Sequence, residues 1–167
     1  MQRFALSTTL LSLALLTSCN AADRATAPAT QAAEASNAQA AAETIGPFSV
    51  ATVARFDEPW AFSFLPDGRV LVSEKPGKLK LVDVASGKVG EVDGVPEVAY
   101  GGQGGFGDVV PHPRFADNGL VYVSYTEKGD GDTAGAAVAR AKLVTDGAGG
   151  GRLENLEVIW RQVPKVA

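Results

Sequence analysis

Two stretches of this chain, Trp60–Glu74 and Phe106–Tyr125, resemble each other in the order strand, proline-containing turn, strand. The matching positions are Pro66 with Pro113, Gly68 with Gly119, and Leu71–Ser73 with Tyr122–Ser124. An offset of roughly 50 residues is typical of β-propeller blades. Propellers close a ring of typically four to eight four-stranded blades. The repeat therefore predicts an all-β chain with no significant helix, a partial β-propeller of about two blades. Two blades cannot close a ring, so we expect a fragment of a longer protein rather than several copies sharing one ring.

Alternation of apolar residues and turn residues divides the region 45–167 into two units of four strands. Beside an opening strand over Phe48–Phe56, the predicted strands are Trp60–Leu65, Arg69–Glu74, Lys78–Val84 and Lys88–Val92 in the first unit, then Phe106–Val110, Leu120–Tyr125, Ala137–Val144 and Leu156–Arg161 in the second. Side chains expected to pack between blades are Phe62, Phe64, Leu71, Leu81, Val109, Val121, Val123 and Ile159, and the same is expected of Trp60 and Trp160. An open edge and apolar face on the last strands would make such a fragment insoluble.

The N-terminus predicts export and lipidation. A basic start is followed by an apolar run from Phe4 to Leu16, too short to span a bilayer as a stable helix. The run ends in a lipobox-like segment, Leu16–Cys19, so residues 1–19 are interpreted as a lipoprotein signal peptide with Cys19 as the lipidated residue. An ordinary cleaved signal peptide is the alternative. Cys19 is the sole cysteine, which fits this role. We expect a bacterial lipoprotein on the periplasmic side of the envelope, anchored in the outer membrane.

Residues 20–44 are rich in alanine and lack aromatic residues, which predicts a flexible tether before a folded domain at 45–167. The net charge of −4 and the absence of a Lys or Arg cluster argue against a nucleic-acid partner.

The segment between the two units carries the candidate chemistry. Five of the seven residues from Gly101 to Gly107 are glycine, and Gln103 projects an amide from this loop. No helix follows, so the loop is not a nucleotide-phosphate motif. From the sequence alone, Gln103 is as well explained by a loop amide that caps nearby backbone groups.

A set of short motifs resembles the opening of the soluble pyrroloquinoline quinone (PQQ)-dependent sugar dehydrogenases, the glucose/sorbosone dehydrogenase family. The motifs are Pro59–Phe62, Leu65–Gly68, Gly94–Pro96, Gly102–Phe106, Asp108–Val109 and His112–Asn118. The resemblance implies a six-bladed propeller that binds PQQ and calcium and oxidises aldose sugars to lactones. It also implies that Gln103 lies against the quinone, and that most ligands and the catalytic histidine lie outside this chain. We therefore expect the chain alone to be inactive, with no catalytic or metal-binding residue of its own.

His112 is the only histidine, but its His-Pro setting indicates a structural turn rather than the catalytic base. Asp108 is interpreted as a turn or strand-end residue and not as a metal ligand. The Gly147–Gly151 run is interpreted as a hairpin between two strands.

Two other classes of function stay open. A non-catalytic secreted propeller that binds protein or glycan would need neither Gln103 nor a downstream histidine. A propeller hydrolase acting on lactones would need carboxylates spread over several blades, and none stand out. The sugar and the physiological electron acceptor are not specified by these residues.

Overall fold

The computed structural model describes residues 43–167, with side chains from Gly46 onward. The predicted signal peptide, Cys19 and nearly all of the predicted tether lie outside the described residues. The described part opens with a small antiparallel hairpin of β1 (Glu43–Ile45) and β2 (Phe48–Val50). The strand predicted over Phe48–Phe56 was therefore too long, since residues 51–56 are not in a strand.

Two four-stranded antiparallel meanders follow, which confirms the all-β prediction. The first contains β3 (Pro59–Phe64), β4 (Val70–Glu74), β5 (Lys78–Asp83) and β6 (Lys88–Asp93). The second contains β7 (Phe106–Pro111), β8 (Leu120–Lys128), β9 (Ala134–Thr145) and β10 (Gly151–Arg161). A four-residue helix, α1 (Phe115–Asn118), lies between β7 and β8. The later strands are longer than the sequence predicted.

The two meanders share a structural device at equivalent positions. The first strand of each contains a β-bulge, in β3 between Pro59 and Ala61 and in β7 between Phe106 and Val109. A bulge leaves a backbone N–H outside the ladder. In β3 the Ala61 N–H donates to Ser73 Oγ at 3.1 Å, and in β7 the Asp108 N–H donates to Ser124 Oγ at 2.9 Å. The repeat seen in the sequence is therefore a repeat of structure.

The turns after these first strands differ by one insertion. In the first meander the turn is short: Leu65 N–H donates to Arg69 O at 2.8 Å, and Gly68 has a positive φ of 86°. In the second meander the four residues of α1 are inserted before Gly119, whose left-handed conformation ends the helix. Because of this insertion, the matched glycine lies farther from the matched proline in the second meander than in the first.

The core lies between the two meanders. Leu71, Leu79 and Leu81 of the first pack into one cluster with Val109, Val121 and Val123 of the second, and all six are nearly or fully buried. Three alanines of β9, Ala137, Ala139 and Ala141, are also buried in this cluster. Small side chains on this strand leave room for the larger ones opposite. The predicted packing of Leu71, Leu81, Val109, Val121 and Val123 is thus confirmed.

Phe62, Phe64 and Ile159, which we expected to pack between blades, are not buried among the described residues. Phe62 and Phe64 are 65% and 64% exposed because the register places them opposite Val72 and Val70, on the face of the first meander that points away from the core. Ile159 lies in a register shift of β10 and is 46% exposed. Alternation showed which residues share a face but not which face is covered.

The two tryptophans also lie outside the core. Trp60 and Trp160 are 52% and 53% exposed. Trp60 lies on the same outer face as Phe62 and Phe64 and lines a groove there.

Glycines allow the last strands of the two meanders, β6 and β10, to lie side by side. β6 pairs with β10 in parallel over Val92 with Gly151 and Asp93 with Arg152. A Cβ on Gly90 would come within 2.2 Å of the Gly149 carbonyl oxygen, so only glycine fits there. The Gly147–Gly151 run does join β9 to β10, as predicted, and it also packs against β6.

A charged cluster fastens the C-terminal segment to β8. The Glu127 carboxylate accepts from Arg161 Nε at 2.8 Å and from Lys165 Nζ at 2.7 Å. Hydrogen bonds from these two cations lower the pKa of Glu127 to about 2. Within residues 43–167, no helix is long and apolar enough to cross a membrane.

Replacing Ser73 with alanine should destabilise the fold more than the same change at Ser124. Ser73 is fully buried, and its loss leaves the partly buried Ala61 N–H without an acceptor. Water, by contrast, can reach the Asp108 N–H. An unsatisfied buried donor costs about 1–3 kcal/mol. Urea denaturation of Ser73→Ala, Ser124→Ala and the exposed control Ser86→Ala should rank them in that order. Equal midpoints for the first two variants would contradict the bulge argument.

Replacing Glu127 with glutamine should remove a pH-dependent part of the stability. A depressed carboxyl pKa stabilises the fold above the unfolded value and loses that effect as pH falls from 4.5 towards about 2. Glu127→Gln should therefore be less stable than the native protein near neutral pH, by about 1 kcal/mol for a partly exposed network, and the difference should disappear as the pH falls below about 2. Urea denaturation across this range measures the difference. Glu157→Gln, which breaks one exposed ion pair with Arg140, serves as the control. A difference that stays constant with pH would contradict the assignment.

Candidate functional site

The glycine-rich loop before β7 forms a tight hairpin at one end of the two meanders. Gly101 and Gly104 exchange backbone hydrogen bonds, with N···O distances of 3.2 and 2.7 Å, so that Gly102 and Gln103 form the tip. Gly102 has a positive φ of 52°. Gln103 is exposed, and no described residue is hydrogen-bonded to its amide. The loop therefore presents this amide to solvent.

The base of the hairpin is fixed to both meanders. Phe106 N–H donates to the Lys75 carbonyl at 2.9 Å, and Gly105 N–H donates to Thr126 Oγ1 at 3.2 Å. A Cβ on Gly105 would lie 2.4 Å from the Lys75 carbonyl oxygen, so glycine is required for this approach. By contrast, a Cβ on Gly101 or Gly102 would meet nothing within 4 Å. The loop is closely packed at its base and open at its tip.

A lysine and two aromatic rings lie beside the tip. Lys75 Nζ donates a hydrogen bond to the Gly102 carbonyl. The same nitrogen lies 5.6 Å from the centroid of the Tyr100 ring and 6.0 Å from that of Trp60, within cation–π range. The surface around Gln103 therefore combines a positive charge with two exposed aromatic side chains.

Tyr100 is itself held by an acidic residue. Its hydroxyl donates to Glu58 Oε1 at 2.6 Å, and this bond to a carboxylate raises the pKa of Tyr100. Glu58 has a positive φ of 44°, uncommon for a residue other than glycine, and its carbonyl accepts from Lys75 N–H at 3.0 Å. Glu58, Lys75 and Tyr100 thus form one connected group under the loop.

The described residues offer hydrogen-bond donors at this site rather than a metal centre. In the part of the chain that the structure describes, no cluster of three or more His, Cys, Asp or Glu side chains could hold a metal ion. Asp108, interpreted as a turn or strand-end residue, lies within β7, and its Oδ1 accepts from Val109 N–H at 2.8 Å. The exposed Gln103 amide can donate to a carbonyl-bearing ligand.

His112 lies at the opposite end of β7 from Gln103. With a rise of about 3.3 Å per residue, a strand of this length spans roughly 20 Å. His112 Nδ1 accepts from Arg114 N–H at 2.9 Å and lies 3.0 Å from Asn118 Nδ2, and its ring stacks on Tyr122. The imidazole is engaged in the turn that α1 occupies.

The sequence made Gln103 a candidate, which stays a prediction, but did not point to its neighbours Lys75, Tyr100 and Glu58. These residues come together across 27 positions from Lys75 to Gly102 and 42 from Glu58 to Tyr100. No local sequence pattern predicts contacts between residues so far apart in the chain. The equivalence of the two repeats was the one sequence signal that pointed to Lys75. It places Lys75 just after the second strand of its unit, at the end of the unit where the glycine-rich loop begins.

Comparisons with known proteins agree on one family. The family model of Glucose / Sorbosone dehydrogenase matches residues 56–167. The chain is 36% identical over 114 residues to the aldose sugar dehydrogenase YliI of Escherichia coli, covering 68% of this chain and 30% of that protein.

Solved structures give the same result. A crystal structure of a glucose dehydrogenase matches with a TM-score of 0.61 and 41% identity, covering 66% of this chain and 32% of the other. The PQQ-bound aldose sugar dehydrogenase of Streptomyces coelicolor matches with a TM-score of 0.57 and 27% identity, covering 68% and 33%. The chain spans about a third of the length of these relatives. Since the family model covers the whole of both meanders, the chain belongs to the glucose/sorbosone dehydrogenase family.

Proposed function

We propose that this chain forms the N-terminal part of a PQQ-dependent dehydrogenase that oxidises aldose sugars at the anomeric carbon to lactones. Family membership supports the sugar dehydrogenase class, and the relative from S. coelicolor is a PQQ-bound aldose sugar dehydrogenase. The observation that carries the proposal is the exposed Gln103 amide at the tip of a loop whose base is fixed. Gln103 is the residue we assign to the cofactor.

The groups around Gln103 fit a quinone that bears carboxylates. The amide N–H of Gln103 is a donor suited to quinone and carboxylate oxygens. The space around Gly101 and Gly102, where a Cβ would meet nothing within 4 Å, leaves the tip open to a flat ring system. The exposed rings of Trp60 and Tyr100 add apolar surface beside it. These residues of the chain fit PQQ.

In this proposal the chain binds and orients the cofactor. PQQ, when bound, would accept a hydride equivalent, one hydrogen with two electrons, from the anomeric carbon, and the hydroxyl proton would go to a base that we do not assign to residues 43–167. Gln103 would donate a hydrogen bond to the cofactor and help to orient it. Lys75 Nζ donates to the Gly102 carbonyl, next to Gln103. His112 takes no part, since it lies at the other end of β7.

Calcium, which the family resemblance implies, finds no such fit in the described part of the chain. The carboxylate of Glu58 is hydrogen-bonded to Tyr100 and that of Asp108 to its neighbouring backbone. We therefore assign no calcium ligand to residues 43–167.

Replacing Gln103 should weaken PQQ binding. Gln103→Leu keeps the size of the side chain and removes both amide groups, so we expect the Kd for PQQ to rise about tenfold, as for one hydrogen bond to a polar ligand. Equilibrium dialysis of the native protein with PQQ measures this, together with dye reduction in the presence of an aldose. His112→Asn is the control and should leave the Kd unchanged. A native protein that binds no PQQ would overturn the proposal and favour the non-catalytic binding module.

We also propose that Cys19 anchors the protein to the envelope, on the periplasmic side of the outer membrane. The lipobox-like segment Leu16–Cys19 and the single cysteine support this. Cys19→Ala should move the protein from the membrane fraction of the native host to the soluble fraction. The mass of the mature native N-terminus should show a diacylglyceryl addition at Cys19. An unmodified N-terminus produced by cleavage elsewhere would contradict the anchor and indicate ordinary secretion.

A further inference from the structure

Lys75 is the residue through which the first meander reaches the tip of the glycine-rich loop. Its backbone carbonyl accepts from Phe106 N–H at 2.9 Å, and its side-chain Nζ donates to the carbonyl of Gly102. Gly102 is directly bonded to Gln103. Lys75 therefore contacts the loop at its base and at its tip, on either side of the residue assigned to the cofactor.

The loop needs such a fastening because of its composition. Five glycines in the seven residues from Gly101 to Gly107 give the free chain many conformations, and ordering each glycine costs more entropy than ordering other residues. The only backbone bonds within the tip are those between Gly101 and Gly104. These bonds close the hairpin but leave its direction free. The bond from Lys75 Nζ ties the tip to the first meander.

The surroundings of Lys75 hold its ammonium group in place. The ring centroids of Tyr100 and Trp60 lie 5.6 and 6.0 Å from its Nζ. Glu58, the acidic residue of this group, accepts a hydrogen bond from Tyr100. Since Tyr100 belongs to the segment that leads into the loop, Glu58 and Lys75 fasten this segment at two points.

From this geometry we propose that Lys75 is the positioning residue for Gln103, holding the amide in the orientation that the cofactor requires. The inference rests on the proposed function for the identity of the ligand, PQQ. Lys75 acts through the Gly102 carbonyl and need not touch the cofactor. Removing Nζ should free the tip and weaken PQQ binding through Gln103.

The first test is hydrogen–deuterium exchange of the cofactor-free protein. Lys75→Met keeps the apolar stem and removes the donor, and Lys75→Arg restores a cationic donor. Lys78→Met is the matched control, since Lys78 is exposed at the start of β5 and three residues away. Exchange at Gly104 N–H should rise at least about threefold in Lys75→Met and return towards the native rate in Lys75→Arg. Native exchange in Lys75→Met would overturn the inference.

The second test is a double-mutant cycle on the Kd for PQQ. Lys75→Met should raise the Kd about three- to tenfold in the native background and leave it unchanged in the Gln103→Leu background, because its effect passes through Gln103. Equal effects in both backgrounds would show that Lys75 contacts PQQ directly and would overturn the positioning role. If the native protein binds no PQQ, the proposed function fails, whereas exchange still decides whether Lys75 holds the loop.

Discussion

The close packing of one meander on the other is the constraint on which the rest of the described structure depends. The inner faces of β4 and β5 contribute leucines, and β9 contributes alanines that let these leucines approach. Where β6 meets the segment that leads into β10, the close approach requires glycine, because even a Cβ on Gly90 would collide with the backbone of Gly149. A larger residue at any of these places would push the meanders apart. The distance between the two first strands, β3 and β7, follows from this packing.

That distance determines where the candidate site lies. Ser63 of β3 donates through its hydroxyl to the Val109 carbonyl of β7 at 2.6 Å, so the two strands are joined side by side. At the end where both strands begin, Lys75 and Gly105 approach so closely that only glycine is possible in the loop. The Gln103 hairpin is therefore a product of the interface between the meanders. A change in the core would therefore move the Gln103 amide, although Gln103 is not a core residue.

The sequence predicted those features that depend on local pattern and failed on those that depend on contacts between distant segments. The strand–turn–strand repeat was visible because proline, glycine and serine recur at matched positions, and the structure gives the serines one role at both bulges. Gln103, a polar residue among glycines, is a candidate that a local pattern supplies, and its contact with a cofactor stays a prediction. The exposure of Phe62 and Phe64 was not predicted, because alternation cannot say which face of a strand is covered. Lys75 was not predicted because Gly102, which it contacts, lies 27 positions away in the loop before β7.

The exposed positions of Phe62 and Phe64 have a physical reason. Apolar residues lie on both faces of β3 and β4, and the outer face of the first meander forms a groove of about 480 Å³ lined by residues such as Phe62, Phe64, Val70 and Val82. A sheet with water on one side needs polar residues there, whereas a sheet covered on both sides reads as apolar throughout. In a propeller ring each blade has a neighbour on either side. The first meander has the composition of such a blade, and the second supplies a neighbour for only one of its faces. The length of the family members, about three times the part matched here, agrees with that requirement.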